Sequence, residues 1–186
     1  MDGESTGGGS VAAGPAPRLP KTIEADPRAS RLSEHLLRRA RPLWSGAVFH
    51  AASLAPGEAV KAALLSANQA GFVVRGLEAA ERRLAEEERG LALAAQPDRN
   101  AAVRISRLLL VTNDGSERFY RNVEGLLRRH GPRLHAIRLE IDEHDLGELL
   151  YGPDRVTRLV LLEHKNAVAA LLLAVAGQWQ NEEAPA

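Results

Sequence analysis

The stretch "ISRLLLVT", Ile105 to Thr112, limits most strongly how this chain can fold. From Leu108 to Val111 it is apolar without interruption, lacking the alternation of a strand that has one wet face. An apolar strand of this kind must be covered on both sides, so the chain needs a sheet with helices above and below it.

The residues around this strand supply those helices. One is predicted from about Glu58 to Gln69, with Val60, Ala63, Leu64 and Ala67 on one face and Gly71 stopping it. Phe72 to Arg75 reads as a brief strand between Gly71 and Gly76, and Leu77 to about Ala94 as a second helix. Pro97 to Asn100 break the chain before the central strand. After it, Asn113-Asp114-Gly115 makes a turn, Ser116 caps a third helix and Gly131-Pro132 ends that helix. "RLHAIRLEI" reads as a strand, Asp142 caps the short helix "EHDLGELLYG", "RVTRLVLL" is another strand, and "HKNAVAALLLAVAG" is a helix closed by Gly177. Such alternation predicts a three-layer α-β-α sandwich around a mixed sheet of about four strands, within residues 57–177.

The ends read differently. Residues 1–30, with "GESTGGGS" and "AAGPAPRLP", bury too little apolar surface to offset the entropy of ordering and read as a disordered tail. "GESTGGGS" has no strand before it and no Gly-Lys-Ser/Thr after it, so it is not a phosphate-binding loop. Residues 31–56 read as a helical extension: "RLSEHLLRRAR" repeats leucine at 32, 36 and 37 and stops at Pro42, and Val48 and Phe49 are candidates for a short strand. Residues 178–186 read as a flexible C-terminal tail.

Composition excludes several chemistries. The absence of cysteine rules out disulfides, thiolate metal sites and cysteine nucleophiles. Basic and acidic side chains balance at 24 each, so no global field draws the chain to DNA or an anionic membrane, and any nucleic-acid contact must be local. Only Lys21, Lys61 and Lys165 are lysines, leaving arginine, whose planar fork suits phosphates, to carry nearly all the positive charge. The opening residues lack a signal-peptide pattern, and the longest apolar run, Ala167 to Ala176, is ten residues against the roughly 20 that a membrane helix needs. A cytoplasmic protein is expected.

Few side chains announce catalysis. Asp114 lies where a strand ends, a position at which open α/β sheets place ligands, but Asn-Asp-Gly is also ordinary turn chemistry. His144 with Glu148, and Glu163 with His164, lack the further ligands that a metal needs. No catalytic residue, metal or cofactor is therefore assigned. On the helix after Gly76, Glu78 with Arg82, Arg82 with Glu86 and Arg83 with Glu87 stand at the four-residue spacing of supporting ion pairs. Arg75-Gly76 is different: a strand that turns straight into a helix exposes backbone N–H groups at the positive end of the helix dipole, which suits an anion.

Three segments in order, "SANQAGFVVRGLEAAERRL", "LLLVTNDGSERFYRNVEGLLRRH" and "HAIRLEIDEHDLGELLYGPDRVTRLVLLE", together resemble the kink-turn-binding ribosomal protein superfamily of the "L seven Ae" type, over roughly Gly57 to Gly177. Leu146-Gly147 and Gly152 stand where that family has them, while residues from about Glu86 to Arg104 form an insertion. The resemblance implies an RNA-binding or ribosome-associated module of a divergent bacterial type. It implies RNA contacts at Arg75, Gly76, Leu77, Glu78, Ala79 and Arg82 in the helix start, and at Tyr151, Arg155 and Val156 in a facing loop. Structured RNA, the ribosome or a protein is the expected partner. Kink-turn binders carry Asn then Glu where this chain has Glu78 and Ala79. That difference motivates the alternative of a protein-interaction or regulatory module that keeps the fold without RNA.

Overall fold

A computed structural model describes residues 17–93 and 103–184. At its centre lies β4 (Arg107–Val111), whose Leu108 to Val111 are all buried. Side chains alternate across a strand, so Leu108 and Leu110 enter one core while Leu109 and Val111 enter another on the opposite face. The remaining strands are β1 (Ala40–Pro42), β2 (His50–Leu54), β3 (Val73–Arg75), β5 (Leu134–Leu139) and β6 (Leu159–Leu162). They form one sheet in the order β1-β2-β5-β4-β6-β3.

The helices cover the sheet in two layers. On one side lie α1 (Leu32–Arg38), α2 (Glu58–Gln69), α5 (Glu143–Tyr151) and α6 (Lys165–Glu183), which bury Leu36, Leu64, Leu146 and Trp179 respectively. On the other side α3 (Leu77–Leu93) and α4 (Glu117–His130) bury Leu84 and Leu126. The three-layer α/β sandwich is the expected one, but its sheet has six strands rather than about four.

The two additional strands come from residues 31–56. Only α1 of that segment is helical; β1 and β2 then pair antiparallel, and β2 extends the sheet by running parallel to β5. Alanines make "HAASL" a weak strand former, so its conformation comes from pairing and from the burial of Ala51, Ala52 and Leu54 rather than from propensity. The N-terminal tail also needs correction where it is described. Residues 17–30 form two short 3-10 turns, Lys21–Ile23 and Pro27–Arg31, and bury Leu19, Ile23 and Ala29. Residues 1–16, and 94–102 of the expected insertion, lie outside the described residues.

The C-terminal tail is corrected as well. Helix α6 passes through Gly177 to Glu183, because the fully buried Trp179 anchors its last turns. Arg39 lies over the Trp179 ring at 4.9 Å and also pairs with Glu182 at 2.9 Å, while Arg38 pairs with Glu183. This packing outweighs the helix-weakening effect of one glycine, which is about 1 kcal/mol.

Strand directions determine what meets at each end of the sheet. β2, β5 and β4 are parallel, and β3 shares their direction because both β3 and β4 run antiparallel to β6. The carboxyl ends of β2, β3, β4 and β5 therefore lie at one end of the sheet, where α2, α3, α4 and α5 begin. The loop of residues 152–158 enters the oppositely directed β6 at that same end.

Candidate functional site

The edge strand β3 ends at the exposed Arg75, and Gly76 follows at φ +86°, a left-handed conformation that favours glycine. The Gly76 amide donates to Leu159 O at 2.9 Å, while its carbonyl accepts from Ala80 N at 3.1 Å and closes the first turn of α3. The amides of Leu77, Glu78 and Ala79 precede any intrahelical acceptor and point out of the helix start. Leu77 packs into the core beneath α3, whereas Glu78 and Arg82 are exposed.

The loop of residues 152–158 stands directly beside this helix start. Arg75 reaches it twice: one guanidinium nitrogen donates to Val156 O at 2.7 Å, and the guanidinium carbon lies 4.8 Å from the centre of the Tyr151 ring. Arg75, Gly76, Tyr151 and Val156 thus form one surface, with Glu78, Arg82 and Arg155 exposed around it. Val156 is 39% exposed, a branched apolar side chain at a loop tip. The Tyr151 hydroxyl is buried without a hydrogen-bond partner, and burial raises its pKa against the opposing pull of the Arg75 cation.

The loop is held rigidly from below. Gly147 of α5 lies so close to it that an added Cβ would stand 2.0 Å from Arg155 O and 2.6 Å from Val156 Cα. Thr157 N donates to Glu143 O at 2.9 Å, and Arg158 pairs with the Glu143 carboxylate at 2.7 Å. Gly152 at φ +89° and Asp154 at φ +62° supply the left-handed bends. This explains the Leu146-Gly147 and Gly152 pattern in physical terms: one glycine permits contact and the other permits a turn.

Asp114 has a structural position. Its carboxylate accepts from the Thr112 hydroxyl at 2.6 Å and from the Glu143 amide at 3.2 Å, joining the end of β4 to the start of α5. Burial pushes its pKa up, but these hydrogen bonds outweigh burial and hold the carboxyl below its ordinary value. Beside it, Asn113 donates to Glu140 at 3.1 Å, and Glu140 also takes Ser53 and Arg138. Among the described residues no group of three or more histidine, aspartate or glutamate side chains is placed to hold a metal ion.

The charges of α3 serve the fold more than the expected pairs suggest. Arg83 lies 4.0 Å from Glu87 but makes a closer contact to Glu163, beyond the end of β6. Glu87 in turn accepts from Arg107 at 3.0 Å and Arg133 at 3.1 Å, fastening α3 to the sheet. No protein-family model and no curated protein matches the chain.

Proposed function

We propose that the chain is a non-enzymatic RNA-binding or ribosome-associated module that holds structured RNA between the start of α3 and the loop of residues 152–158. One observation carries the reading: Arg75 joins Tyr151 and Val156, bringing the helix start and the loop into one continuous surface. The outward amides of Leu77, Glu78 and Ala79 suit a phosphate, Arg82 and Arg155 add charge around it, and Val156 offers an apolar contact to a base. An RNA pull-down with sequencing tests this. Specific enrichment of structured RNA is expected, and recovery of protein free of nucleic acid contradicts it.

A second reading is a protein-interaction or regulatory module with the same fold, favoured by charge at this end of the sheet. Arg75 is committed to internal contacts, and Glu78, Asp142 and Asp145 place exposed carboxylates at nearby helix starts. Under this reading the purified chain carries no RNA and forms a defined complex with a protein.

A further inference from the structure

We propose that the outer face of α4 is a contact surface for the phosphate backbone of structured RNA, formed by Arg118, Arg121, Arg128 and Arg129 around Gly125. It takes its kind of ligand from the RNA reading above but uses none of that site's residues. The starting point is the glycine. An added Cβ at Gly125 would meet nothing within 4 Å, and its φ lies outside the left-handed region, so neither internal packing nor backbone geometry requires glycine there. Glycine inside a helix is nevertheless destabilising relative to alanine.

Its surroundings give it a purpose. Residues three and four positions away on a helix are surface neighbours, and around Gly125 these are Arg121, Asn122, Arg128 and Arg129. Backbone without a side chain therefore lies within a ring of donors, one of which, Arg129 Nε, donates to Gly125 O at 3.3 Å. The side chains of Arg121, Arg128 and Arg129 are 59%, 68% and 55% exposed. Arg121 is held in place by the Trp44 ring, 4.5 Å from its guanidinium carbon, and by Glu117 at 2.6 Å. Arg129 is shared with Glu81 of α3 at 2.7 Å.

Glu124, the carboxylate nearest this face, is turned inward, although its Oε1 still lies 3.7 Å from Arg128. It is 3% exposed and accepts from Trp44 Nε1 at 2.8 Å and Val48 N at 3.0 Å. Of the carboxylates of α4 only Glu117 is exposed, and with the inward Glu124 and Glu81 of α3 it sets three carboxylates against the four arginines. From Arg118 to Arg129 the helix rises about 16 Å. Among the described residues α4 itself exposes no large apolar side chain, and Val48, whose amide bonds Glu124, is the exposed apolar residue beside it. Exposed arginine forks around a helical position with no side chain fit closely approaching phosphates.

The test is fluorescence anisotropy of a labelled RNA hairpin with the full chain, at about 50 and 200 mM salt. Two α4 variants are compared with wild type: Arg118→Glu with Arg128→Glu, and Gly125→Leu, which keeps every charge and adds bulk into open space. Circular dichroism verifies their folding, and Arg82→Glu with Arg155→Glu is measured in parallel. At the lower salt, about tenfold weaker binding is expected for the charge variant, with a salt slope shallower by about two units. Gly125→Leu is expected to weaken binding with its salt slope little changed. Wild-type affinity in both folded α4 variants overturns the proposal, as does wild-type binding to phosphatidylserine vesicles but not to RNA. Loss in the α4 variants alone supports this surface and counts against the α3 start. Loss in the Arg82/Arg155 variant alone does the reverse.

Discussion

Replacing Gly147 with alanine tests how the loop of residues 152–158 is held. The added methyl would stand 2.0 Å from Arg155 O, 2.5 Å from Arg155 C and 2.6 Å from Val156 Cα, all backbone atoms that no rotamer change can move aside. Ordinary contact begins near 3.5 Å, so the loop must shift by roughly 1 Å or more. Such overpacking costs about 1–3 kcal/mol. The shift also strains Arg75 to Val156 O at 2.7 Å and Thr157 N to Glu143 O at 2.9 Å, bonds each contributing about 1 kcal/mol. Alanine's advantage inside a helix offsets up to about 1 kcal/mol. The net expectation is a loss of about 2–4 kcal/mol, a large share of the 5–15 kcal/mol typical of a domain. Urea denaturation measures it, and amide exchange at Thr157 should become faster. A change below about 0.5 kcal/mol with Thr157 still protected would refute the close contact.

His135 carries a pH dependence: its Nε2 is buried without a partner, and burial lowers its pKa from 6.5 to about 4. The unfolded chain therefore binds the proton more readily. Stability is fully present above pH 6.5 and falls as pH drops towards 4, by at most about 3 kcal/mol, and His135→Gln should flatten that part of the denaturation profile. Glu124→Ala strands the donors Trp44 Nε1 and Val48 N, so a loss of about 2–4 kcal/mol and a change in Trp44 emission are expected by denaturation and fluorescence. Truncation after Gly177 removes the fully buried Trp179, and since Trp179→Ala alone should cost about 3–5 kcal/mol, the truncated chain is expected to unfold well below the intact chain's melting temperature.

The central layer was legible because Leu108 to Val111 have no polar alternative, and the capping roles of Ser116 and Asp142 were legible because each bonds within its own turn. β1 and β2 were not, since alanine-rich "HAASL" becomes a strand only once β1 and β5 flank it. The last turns of α6 were hidden for a related reason: Gly177 resembles a stop, and the pocket that buries Trp179 is built by distant residues such as His35 and Arg39. At the candidate site, Gly76 and Gly147 were visible as residues, but the reason for Gly147 is a loop that folds back upon it. The Arg75 to Val156 contact joins residues 81 positions apart, which no local pattern reveals. The α4 arginines are visible in sequence between Arg118 and Arg129, but the inward turn of Glu124 toward Trp44 and Val48 joins residues far apart in the chain, which no local pattern reveals.

RNA binding at the start of α3 is tested most directly by the affinity of the intact chain for structured RNA, titrated at low and moderate salt with Arg75→Ala and Arg82→Ala introduced together. Binding is expected at low salt, weakening as salt rises and lost or sharply reduced in the double variant. No binding at low salt, or equal binding by the folded double variant, would contradict it.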